Sequence, residues 1–219
     1  MKKLEEIELY RMTHLENILH ILKNGITHKN SKNADPYYKS IGDLSLIQTR
    51  QNKEVRITNG IYDSQNERVI ILGDFIPFYF GVKMPMLYVI QNGGNFVEEA
   101  VSPENIIYLV CDLISLVSLQ QEFYFSDGHA TDRLTTFYDS SRKDGLTHII
   151  DWEAIDSIYW GGIENLEVKR KKQAEFLIKG DIPFRCIKRI ICYNKNAKEK
   201  ILKFGIKEIM IEINKNAYY

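Results

Sequence analysis

The sequence predicts an α+β fold in which strands dominate. Its apolar segments are mostly short, and helix-like segments are not regularly interleaved with them, which argues against a doubly wound parallel sheet. Near the end of the chain, Ile209, Ile211 and Ile213 stand at every second position, the period of a half-buried strand. Near the beginning, apolar residues between Leu15 and Leu22 recur at i, i+3, i+4 and i+7, the period of an amphipathic helix.

Length and composition allow a substantial core. The chain has 219 residues, of which 44% are apolar and 11% aromatic. This length fits one substantial domain or two small ones, and because no linker or repeat interrupts it we expect one domain over residues 1–219. Lysine plus arginine equal aspartate plus glutamate at 29 each. Bulk charge therefore does not indicate a nucleic-acid partner, which would need a local basic patch.

Cysteine usage and hydropathy bear on the compartment. Cys111, Cys186 and Cys192 are an odd number without metal-like spacing, and their apolar neighbours indicate buried thiols in a reducing cytosol. The first residues contain no apolar signal region, and no apolar run approaches the roughly 20 residues of a membrane span. We expect a soluble, cytoplasmic monomer without a membrane partner.

The first predicted unit is a strand followed by a helix. A short strand over residues 8–10 leads through residues 11–14 into the periodic segment. Thr13-x-x-Glu16 fits a capping box, and Gly25 supplies the helix stop.

Residues 27–59 form a long polar segment rich in turn residues. More than about 15 residues without periodicity usually form a functional loop or lid, and the pattern leaves open whether this one covers a ligand or binds DNA. Within it, residues 43–49 fit a short turn that positions Arg50. A surface arginine is the alternative for Arg50.

The remaining elements are predicted from short apolar runs and turn residues. Strands are expected at residues 69–72, 77–80, 86–91, 106–111, 123–125, 174–178, 186–193 and 206–213. Helical pieces are expected at residues 132–138, 147–155 and 196–204. The run 113–121 fits either a helix or a strand.

Several motifs with specific chemistry are missing from the sequence. It contains no Gly-x-Gly-x-x-Gly, no Gly-x-x-x-x-Gly-Lys-Ser/Thr, no His-Glu-x-x-His and no Cys-x-x-Cys. An ordinary phosphate-cradling loop and a metal site are therefore not expected.

Glu175 stands where a charged run gives way to an apolar run. In a strand over residues 174–178, Gln173, Glu175 and Leu177 share one face, while the other face is purely apolar. The pattern places a fixed carboxylate at the rim of a core strand, where it can hold a sugar hydroxyl or face a developing positive charge. A strand-edge acid that faces solvent is the alternative.

Arg11, Thr13, His14 and Asn17 form a polar cluster where the first strand meets the first helix. Arg11 and Thr13 share a face of the strand, and Thr13 and Asn17 bracket the first helical turn. A helix N-terminus beside an arginine can receive a nucleotide phosphate or ribose. Plain capping is the alternative.

Three further segments carry candidate binding residues. Alternating aromatic residues in 74–80, followed by 85–88, can stack a flat ring or form core. His129, on a glycine turn, is either a loop histidine or a metal-free proton shuttle or base contact. The basic run 169–172 can grip nucleic-acid phosphates or form a solvated face. Aromatic residues at 123–125 and Tyr138 are candidate stacking surfaces for bases.

Taken together, these segments resemble the DarT-type ADP-ribosyltransferase toxins, which use NAD+ to modify bases in single-stranded DNA. Each segment is unspecific alone, but the set follows the order of the family and spans nearly the whole chain. The matching stretches are residues 9–18 with Gly25, Arg50, residues 76–80 and 85–88, residues 126–130, Asp151-Trp152 and residues 170–177.

The resemblance implies an ADP-ribosyltransferase fold of two packed, mostly antiparallel sheets that form a NAD+ cleft with helices around it. It implies NAD+ as co-substrate without a metal, and single-stranded DNA as the acceptor. It also implies a toxin that blocks replication and a cognate macrodomain antitoxin of the DarG type.

The resemblance further implies roles for individual residues. Glu175 would hold the ribose 2′-hydroxyl and oppose the positive charge, and Arg50 would position the nucleophile and contact NAD+. The other implied NAD+ contacts are Arg11, Thr13, His14, Asn17, Gly25, Tyr79, Phe80 and Met86. The implied DNA contacts are His129, Gln173, Lys169, Arg170, Lys171 and Lys172.

One departure from the family pattern concerns the target base. Many relatives have His-x-Thr-His where this chain has Arg11-x-Thr13-His14, and residues 27–43 look like a distinct subgroup. One branch of the family modifies thymine and another guanine, and we favour guanine. Because NAD+-site residues say little about the acceptor, a protein-directed ADP-ribosyltransferase or a NAD+ glycohydrolase is an alternative. An inactive module that binds nucleic acid or NAD+ is a third reading.

Overall fold

Strands and helices follow each other irregularly along the chain, as the sequence predicts. The computed structural model describes residues 2–61, 68–93, 97, 99–206 and 208–219. The strands are β1 Glu8–His14, β2 Glu54–Ile57, β3 Arg68–Ile71, β4 Phe75–Tyr79, β5 Ile106–Asp112, β6 Phe123–Ser126, β7 Phe137–Asp139, β8 Glu175–Lys179, β9 Ile187–Cys192 and β10 Met210–Ile213. The helices are α1 Ile18–Asn24, α2 Leu44–Gln51, α3 Pro85–Asn92, α4 Leu113–Val117, α5 Leu146–Ile149, α6 Trp152–Asp156, α7 Leu166–Lys171 and α8 Lys195–Leu202. None of these helices is long and apolar enough to cross a membrane.

The ten strands form one hydrogen-bonded sheet in the order β10-β9-β5-β1-β4-β8-β6-β7-β2-β3. Neighbouring strands are antiparallel, except for the parallel pairs β10–β9 and β2–β7. The expected arrangement of two packed sheets is therefore not confirmed, because the hydrogen-bonded order runs through all ten strands.

The sheet has a seam between β1 and β4. Seven residue pairs register β1 with β5, whereas in the described part of the chain a single pair, Tyr10 opposite Tyr79, registers β1 with β4. Beside this pair, Nη1 of Arg11 donates a hydrogen bond to the carbonyl oxygen of Pro77 at 3.0 Å. A charged side chain thus replaces part of the backbone ladder at the seam.

Apolar side chains are buried on both faces of the sheet. Residues 106–111 of β5 are fully excluded from solvent, the pattern of a strand covered on both sides. The rings of Phe123 and Phe176 stack with centroids 5.1 Å apart, and those of Phe125 and Tyr138 stack at 5.2 Å. The aromatic residues expected as stacking surfaces for bases therefore belong to the core.

The strand predicted over residues 86–91 is wrong, because this segment forms helix α3. Pro85 occupies the first turn of the helix, where its missing N–H removes no hydrogen bond. Leu87 and Ile90, three positions apart, are both buried, which is helical spacing. The helix ends at Gly93, whose φ is 71°.

Two other assignments change in the structure. The helix predicted over residues 132–138 is wrong, because its last residues begin β7, which pairs with β6. Residues 27–59 are not one loop, since they contain α2 and β2. Asp43 begins α2 by accepting hydrogen bonds from the backbone N–H groups of Ser45 and Leu46 at 2.8 and 3.1 Å. Arg50 therefore projects from the last turn of a helix.

The first strand and helix form as predicted, but the cap between them differs. β1 continues to His14, and Nδ1 of His14 accepts the backbone N–H of Glu16 at 3.1 Å. Thr13 is therefore not the capping residue. Gly25 ends α1 with a φ of 78°, and a Cβ there would lie 2.1 Å from the carbonyl oxygen of Ile182.

Candidate active site

A buried ion pair joins the first residue of β8 to the last turn of α2. Glu175 has no exposed surface. Its Oε1 lies 3.0 Å from Nη1 of Arg50, and its Oε2 lies 2.6 Å from Nη2. The side chain of Arg50 keeps 19% of its surface exposed. The guanidinium therefore lies between the covered carboxylate and the solvent.

Neighbouring residues fix the orientation of Glu175. The backbone N–H of Ala130 donates to Oε1 at 3.1 Å. The backbone N–H of Glu175 donates to Oγ of Ser126 at 3.1 Å, and that hydroxyl donates to the carbonyl oxygen of Gly128 at 2.7 Å. Glu175 is thus held at its backbone by β6, and at its carboxylate by the turn that follows β6 and by α2.

Arg170 positions the turn that carries these contacts. A Cβ at Gly128 would lie 2.4 Å from Nη1 of Arg170, so any larger residue there would have to displace the guanidinium. Arg170 also donates to Oδ1 of Asp127 at 3.1 Å, and its carbonyl oxygen accepts the backbone N–H of His129 at 2.9 Å. Arg170 is therefore engaged in shaping the site rather than free to bind an anion.

Burial and the ion pair set the protonation states. Burial opposes the charge of Arg50, but the adjacent Glu175 carboxylate outweighs it and raises the pKa of Arg50. Burial, and then the charge of Glu175, raise the pKa of Tyr79, which lies opposite Glu175 on β4. Burial lowers the pKa of His129. At neutral pH the site therefore contains a guanidinium cation, a phenol and a neutral imidazole.

A cavity of about 490 Å³ opens beside the ion pair. We call it the arginine cavity, because Arg11 and Arg50 both line it. Much of the remaining wall comes from residues 27–47. Among the described residues Arg11 forms no ion pair, so its guanidinium is available to an anionic ligand. Of the residues predicted to contact NAD+, those that line the cavity are Arg11, Arg50, Tyr79 and Met86.

Thr13 and Asn17 lie behind the wall of the arginine cavity. Nδ2 of Asn17 donates to Oγ1 of Thr13 at 2.8 Å and to the carbonyl oxygen of Lys39 at 2.9 Å. Oδ1 of Asn17 accepts the backbone N–H of Lys39 at 2.8 Å. Both residues are almost fully buried. We call the pair of Thr13 and Asn17 the brace, because it fixes the segment 27–43 against β1. His14 is not part of the brace and caps the adjoining turn.

A second cavity, of about 500 Å³, adjoins the first. We call it the glutamine cavity, because Gln173 lines it. Four of the described residues line both cavities and form their shared wall, namely Asp43, Leu46, Met86 and His129. Gln173 lies in the turn before β8, where its Nε2 donates to the carbonyl oxygen of Lys169 at 3.0 Å. The strand begins at Glu175, so the predicted alternation along one strand does not extend to Gln173.

Two lysines of the basic run 169–172 have structural partners. Nζ of Lys171 lies 2.9 Å from Oδ2 of Asp151. Lys172 is almost fully buried, its Nζ donates to the carbonyl oxygen of Ile155 at 2.5 Å, and burial lowers its pKa to about 8. The helix thus turns these two side chains away from the cavities, which the linear charge pattern could not reveal.

Lys169 is placed differently from the rest of the run. It is exposed and lines the glutamine cavity. In the part of the chain that the structure describes, it has no carboxylate partner. Among the four basic residues, Lys169 therefore offers the cavity an unpaired ammonium group.

Two predicted NAD+ contacts lie away from both cavities. Phe80 is 2% exposed and packs edge-on against Trp152, with ring centroids 6.0 Å apart. Gly25 serves the end of α1. Conversely, sequence reasoning assigned no role to Ser126 or Ala130, although a serine two residues before a glycine in a turn is a local signal for hydrogen bonding to the backbone.

No group of three or more His, Cys, Asp or Glu side chains is arranged to hold a metal ion within the described ranges. The polar groups of the site are instead a carboxylate, two guanidinium groups, a phenol and an imidazole. This set suits binding of a polar organic ligand and stabilisation of positive charge.

Residues 10–219 match the sequence model of a family described as "ssDNA thymidine ADP-ribosyltransferase, DarT". This chain belongs to the DarT family. It is 30% identical over 201 residues to the DNA ADP-ribosyl transferase of Thermus sp. (strain 2.9), covering 91% of this chain and 87% of the relative. It is 28% identical over 199 residues to the DNA ADP-ribosyl transferase of Escherichia coli O127:H6, covering 87% and 82%.

Solved structures of DarT proteins have the same fold. Thermus sp. 2.9 DarT in complex with ADP-ribosylated ssDNA matches with a TM-score of 0.79 and 27% identity, covering 97% of this chain and 96% of that chain. The same protein in complex with NAD+ matches with a TM-score of 0.73 and 27% identity, covering 97% and 98%. The DarT family predicted from the sequence is confirmed, while the residue roles and the target base stay predictions.

Proposed function

We propose that this chain transfers ADP-ribose from NAD+ to a base of single-stranded DNA. The observation that carries the proposal is the buried carboxylate of Glu175. It is fixed by Arg50, which lines the arginine cavity, and by Ala130, which follows His129 in the wall that both cavities share. A carboxylate beside a dinucleotide-sized cavity and an adjoining acceptor cavity suits transfer between them. Membership of the DarT family, whose Thermus member has been solved with NAD+ and with ADP-ribosylated ssDNA, supports this assignment.

NAD+ occupies the arginine cavity in this proposal. A volume of about 490 Å³ lies within the usual range of roughly 300–1,000 Å³ for ligand sites. The guanidinium of Arg11, which has a backbone carbonyl but no carboxylate as partner within the described residues, faces the diphosphate. Tyr79 and Met86 line the nicotinamide side. The residues of the brace act through the cavity wall rather than by direct contact.

The reaction breaks the bond between C1′ of the nicotinamide ribose and the ring nitrogen of nicotinamide. The bonding electrons leave with nicotinamide, which becomes neutral, and positive charge develops on the ribose. Glu175 opposes that charge and accepts a hydrogen bond from the ribose 2′-hydroxyl. Since Arg50 now contacts both carboxylate oxygens, it must release one of them when the ribose binds. A nitrogen of the base then bonds to C1′ and releases its proton to solvent water.

Arg50 positions the reacting groups rather than removing this proton. The Glu175 carboxylate raises the pKa of Arg50, so the guanidinium stays charged and is a poor base. His129 is a better candidate for contact with the base, because it is neutral and lies in the wall shared by the two cavities.

The target base enters the glutamine cavity, with Gln173 and His129 against it and Lys169 near its phosphates. The description of the family supports thymine, whereas the departure from the family pattern at Arg11 supports guanine. Arg170 and Lys171 contribute to DNA binding only indirectly, by holding the surface in place, and Lys172 supports α6.

The biological setting follows from the family. The DNA ADP-ribosyl transferase-DNA ADP-ribosyl glycohydrolase fusion protein of Thermosipho africanus, 24% identical over 172 residues, joins the two activities in one chain. It supports a toxin that blocks replication and a cognate macrodomain antitoxin of the DarG type. We further propose a cytoplasmic monomer whose residues 1–219 form one domain, in which the seam between β1 and β4 separates two halves of the sheet.

Labelled NAD+ tests the proposed function directly. The protein is incubated with it and with four single-stranded oligonucleotides, each containing one homopolymer stretch, and with a mixture of proteins. We expect label on DNA, and mass spectrometry of the nucleosides identifies ADP-ribose on thymidine or guanosine. Label on protein alone would support a protein-directed transferase. Free ADP-ribose alone would support a NAD+ glycohydrolase, and either result would overturn the proposal.

A further inference from the structure

Three aromatic rings stand together at the edge of the glutamine cavity. The ring centroid of Tyr88 lies 5.7 Å from that of Trp160 and 5.3 Å from that of Tyr219, and Trp160 and Tyr219 are 6.2 Å apart. Trp160 lines the cavity, and Tyr88 is 46% exposed. We call this group the aromatic cluster. The cluster is accessible to a ligand, whereas the rings at 123–125 and Tyr138 are buried in the core.

Hydrogen bonds hold the indole of Trp160 in place. Its Nε1 donates to the hydroxyl of Tyr219 at 2.7 Å, and that hydroxyl donates to the carbonyl oxygen of Lys83 at 2.6 Å. The polar atom of the ring therefore has its partner before any ligand arrives. A ring fixed in this way loses little conformational freedom when another flat group stacks on it.

Positive charge accompanies the aromatic cluster. Nζ of Lys169 lies 5.6 Å from the ring centroid of Trp160, and Nζ of Lys83 lies 5.3 Å from that of Tyr219. Lys169 is the unpaired lysine of the cavity. Three carboxylates from the described part of the chain line the same cavity. Glu167 is paired with Arg170. Asp43 accepts the backbone N–H groups that begin α2, and Asp132 accepts the backbone N–H of Leu134. Exposed rings beside lysines form the type of surface on which bases of single-stranded nucleic acid stack while the ammonium groups meet phosphates.

We propose that Trp160, supported by Tyr88 and Lys169, forms a stacking subsite for a nucleotide that flanks the target base. This inference rests on the proposed function, because the target base is assigned to the glutamine cavity that Trp160 borders. A neighbouring nucleotide of the same strand stacks on the indole of Trp160. The ammonium group of Lys169 then leaves the indole ring and contacts the phosphate between the two nucleotides. Stacking tolerates any base, so the subsite provides affinity and strand placement rather than a sequence code.

The test compares Trp160→Ala with Tyr193→Ala as a matched control. Tyr193 also carries a lysine over its ring, with Nζ of Lys215 at 5.6 Å, but it lines neither cavity. Each variant is assayed with an oligonucleotide that extends on both sides of the target base and with a single nucleotide that carries only the target base. For Trp160→Ala we expect KM for the long substrate to rise about 10-fold, with kcat, KM for NAD+ and KM for the single nucleotide nearly unchanged.

Two further variants separate stacking from folding. Trp160→Phe keeps an aromatic face and should retain most of the affinity. Lys169→Gln should reduce the slope of log KM against log salt concentration by about 0.7, because each contact with a phosphate of single-stranded DNA contributes about that much to the slope. Fluorescence anisotropy with labelled oligonucleotides gives the same comparison as a binding constant, so the subsite is tested even in a protein that transfers nothing.

Specific results would overturn the subsite. Equal affinity of Trp160→Ala and Tyr193→Ala for the long oligonucleotide would do so, as would an equal loss on the long substrate and the single nucleotide. If the wild type binds DNA through Trp160 but modifies only protein, the proposed function fails while the subsite stands.

Discussion

Two groups of buried polar side chains start from strands on opposite sides of the seam, and they differ in charge and in what they contact. The brace of Thr13 and Asn17 is neutral, and its hydrogen bonds end on backbone groups of Lys39. The pair of Arg50 and Glu175 is charged, and its exposed member lines the arginine cavity. Both groups had been predicted to contact NAD+.

The difference separates a structural role from a chemical one. Neutral groups that satisfy each other and the backbone fix a wall, because breaking them leaves buried polar atoms unpaired. A buried ion pair is weak evidence for stability, since desolvation offsets much of its attraction. The position of Arg50 at the arginine cavity fits the catalytic role that we propose for the pair. This contrast predicts that substitutions in the pair reduce turnover most, whereas substitutions in the brace reduce ligand affinity and stability.

The largest effect is expected for Glu175→Gln. The amide keeps the shape of the side chain but removes the charge that opposes the developing ribose cation, so the rate of transfer should fall at least about 100-fold. Growth arrest on expression of the wild type should be relieved. Glu212→Gln is the matched control, because Glu212 also lies on a strand and pairs with an arginine, Arg189. An equal fall in transfer rate in the two variants would contradict a chemical role that is specific to the buried pair of Arg50 and Glu175.

Arg50→Gln should reduce both turnover and stability. It leaves Glu175 as a buried charge without its cation, which destabilises by about 3 kcal/mol. The double variant with Glu175→Gln should recover part of that stability but none of the activity, as a double-mutant cycle of denaturation and rate measurements would reveal. Recovery of activity in the double variant would contradict a catalytic role for the pair.

A smaller effect, of a different kind, is expected for Asn17→Ala. Removing the amide releases Lys39 from β1 and should destabilise the protein by about 1–3 kcal/mol. Because the wall of the arginine cavity then moves, KM for NAD+ should rise more than kcat falls. Asn196→Ala, at an exposed position, is the control. A fall in kcat with an unchanged KM would instead place Asn17 next to the reacting atoms.

The smallest effect concerns pH. Burial lowers the pKa of His129 in the folded protein, so near neutral pH the unfolded chain binds more protons at this residue. The contribution of His129 to stability is full above the unfolded pKa of about 6.5 and falls as pH drops through the folded pKa. Between pH 7.5 and pH 5, the Tm measured by thermal denaturation should therefore fall less in His129→Gln than in wild type. The exposed His148→Gln should behave like wild type, and an identical acid response of all three proteins would contradict the assignment.

Local sequence patterns predicted most of the helices and strands, and they singled out Glu175 as a candidate catalytic residue. Strict alternation at Ile209, Ile211 and Ile213 predicted the last strand, and the charged-to-apolar boundary predicted that Glu175 lies at the rim of a core strand. The ordered set of segments also led to the correct family. These features are short-range, so a single sequence contains them completely.

The rest depended on contacts between distant residues. Residues 86–91 contain several β-prone side chains, but the segment forms a helix whose buried residues, Leu87 and Ile90, pack in one cluster with residues of β5 and β9. The run 169–172 looks like one basic patch, but helical geometry sends Lys171 to Asp151 and Lys172 to the carbonyl of Ile155. The contact of Arg50 with Glu175 spans 125 positions in the chain, and no local pattern encodes it.

The most direct measurement is a crystal structure with a non-hydrolysable NAD+ analogue. We predict that the nicotinamide ribose lies in the arginine cavity with its 2′-hydroxyl within hydrogen-bond distance of Glu175. Arg50 should have released one carboxylate oxygen, and the diphosphate should lie at Arg11. A dinucleotide bound elsewhere, with the contacts between Arg50 and Glu175 unchanged, would contradict the role given to this carboxylate.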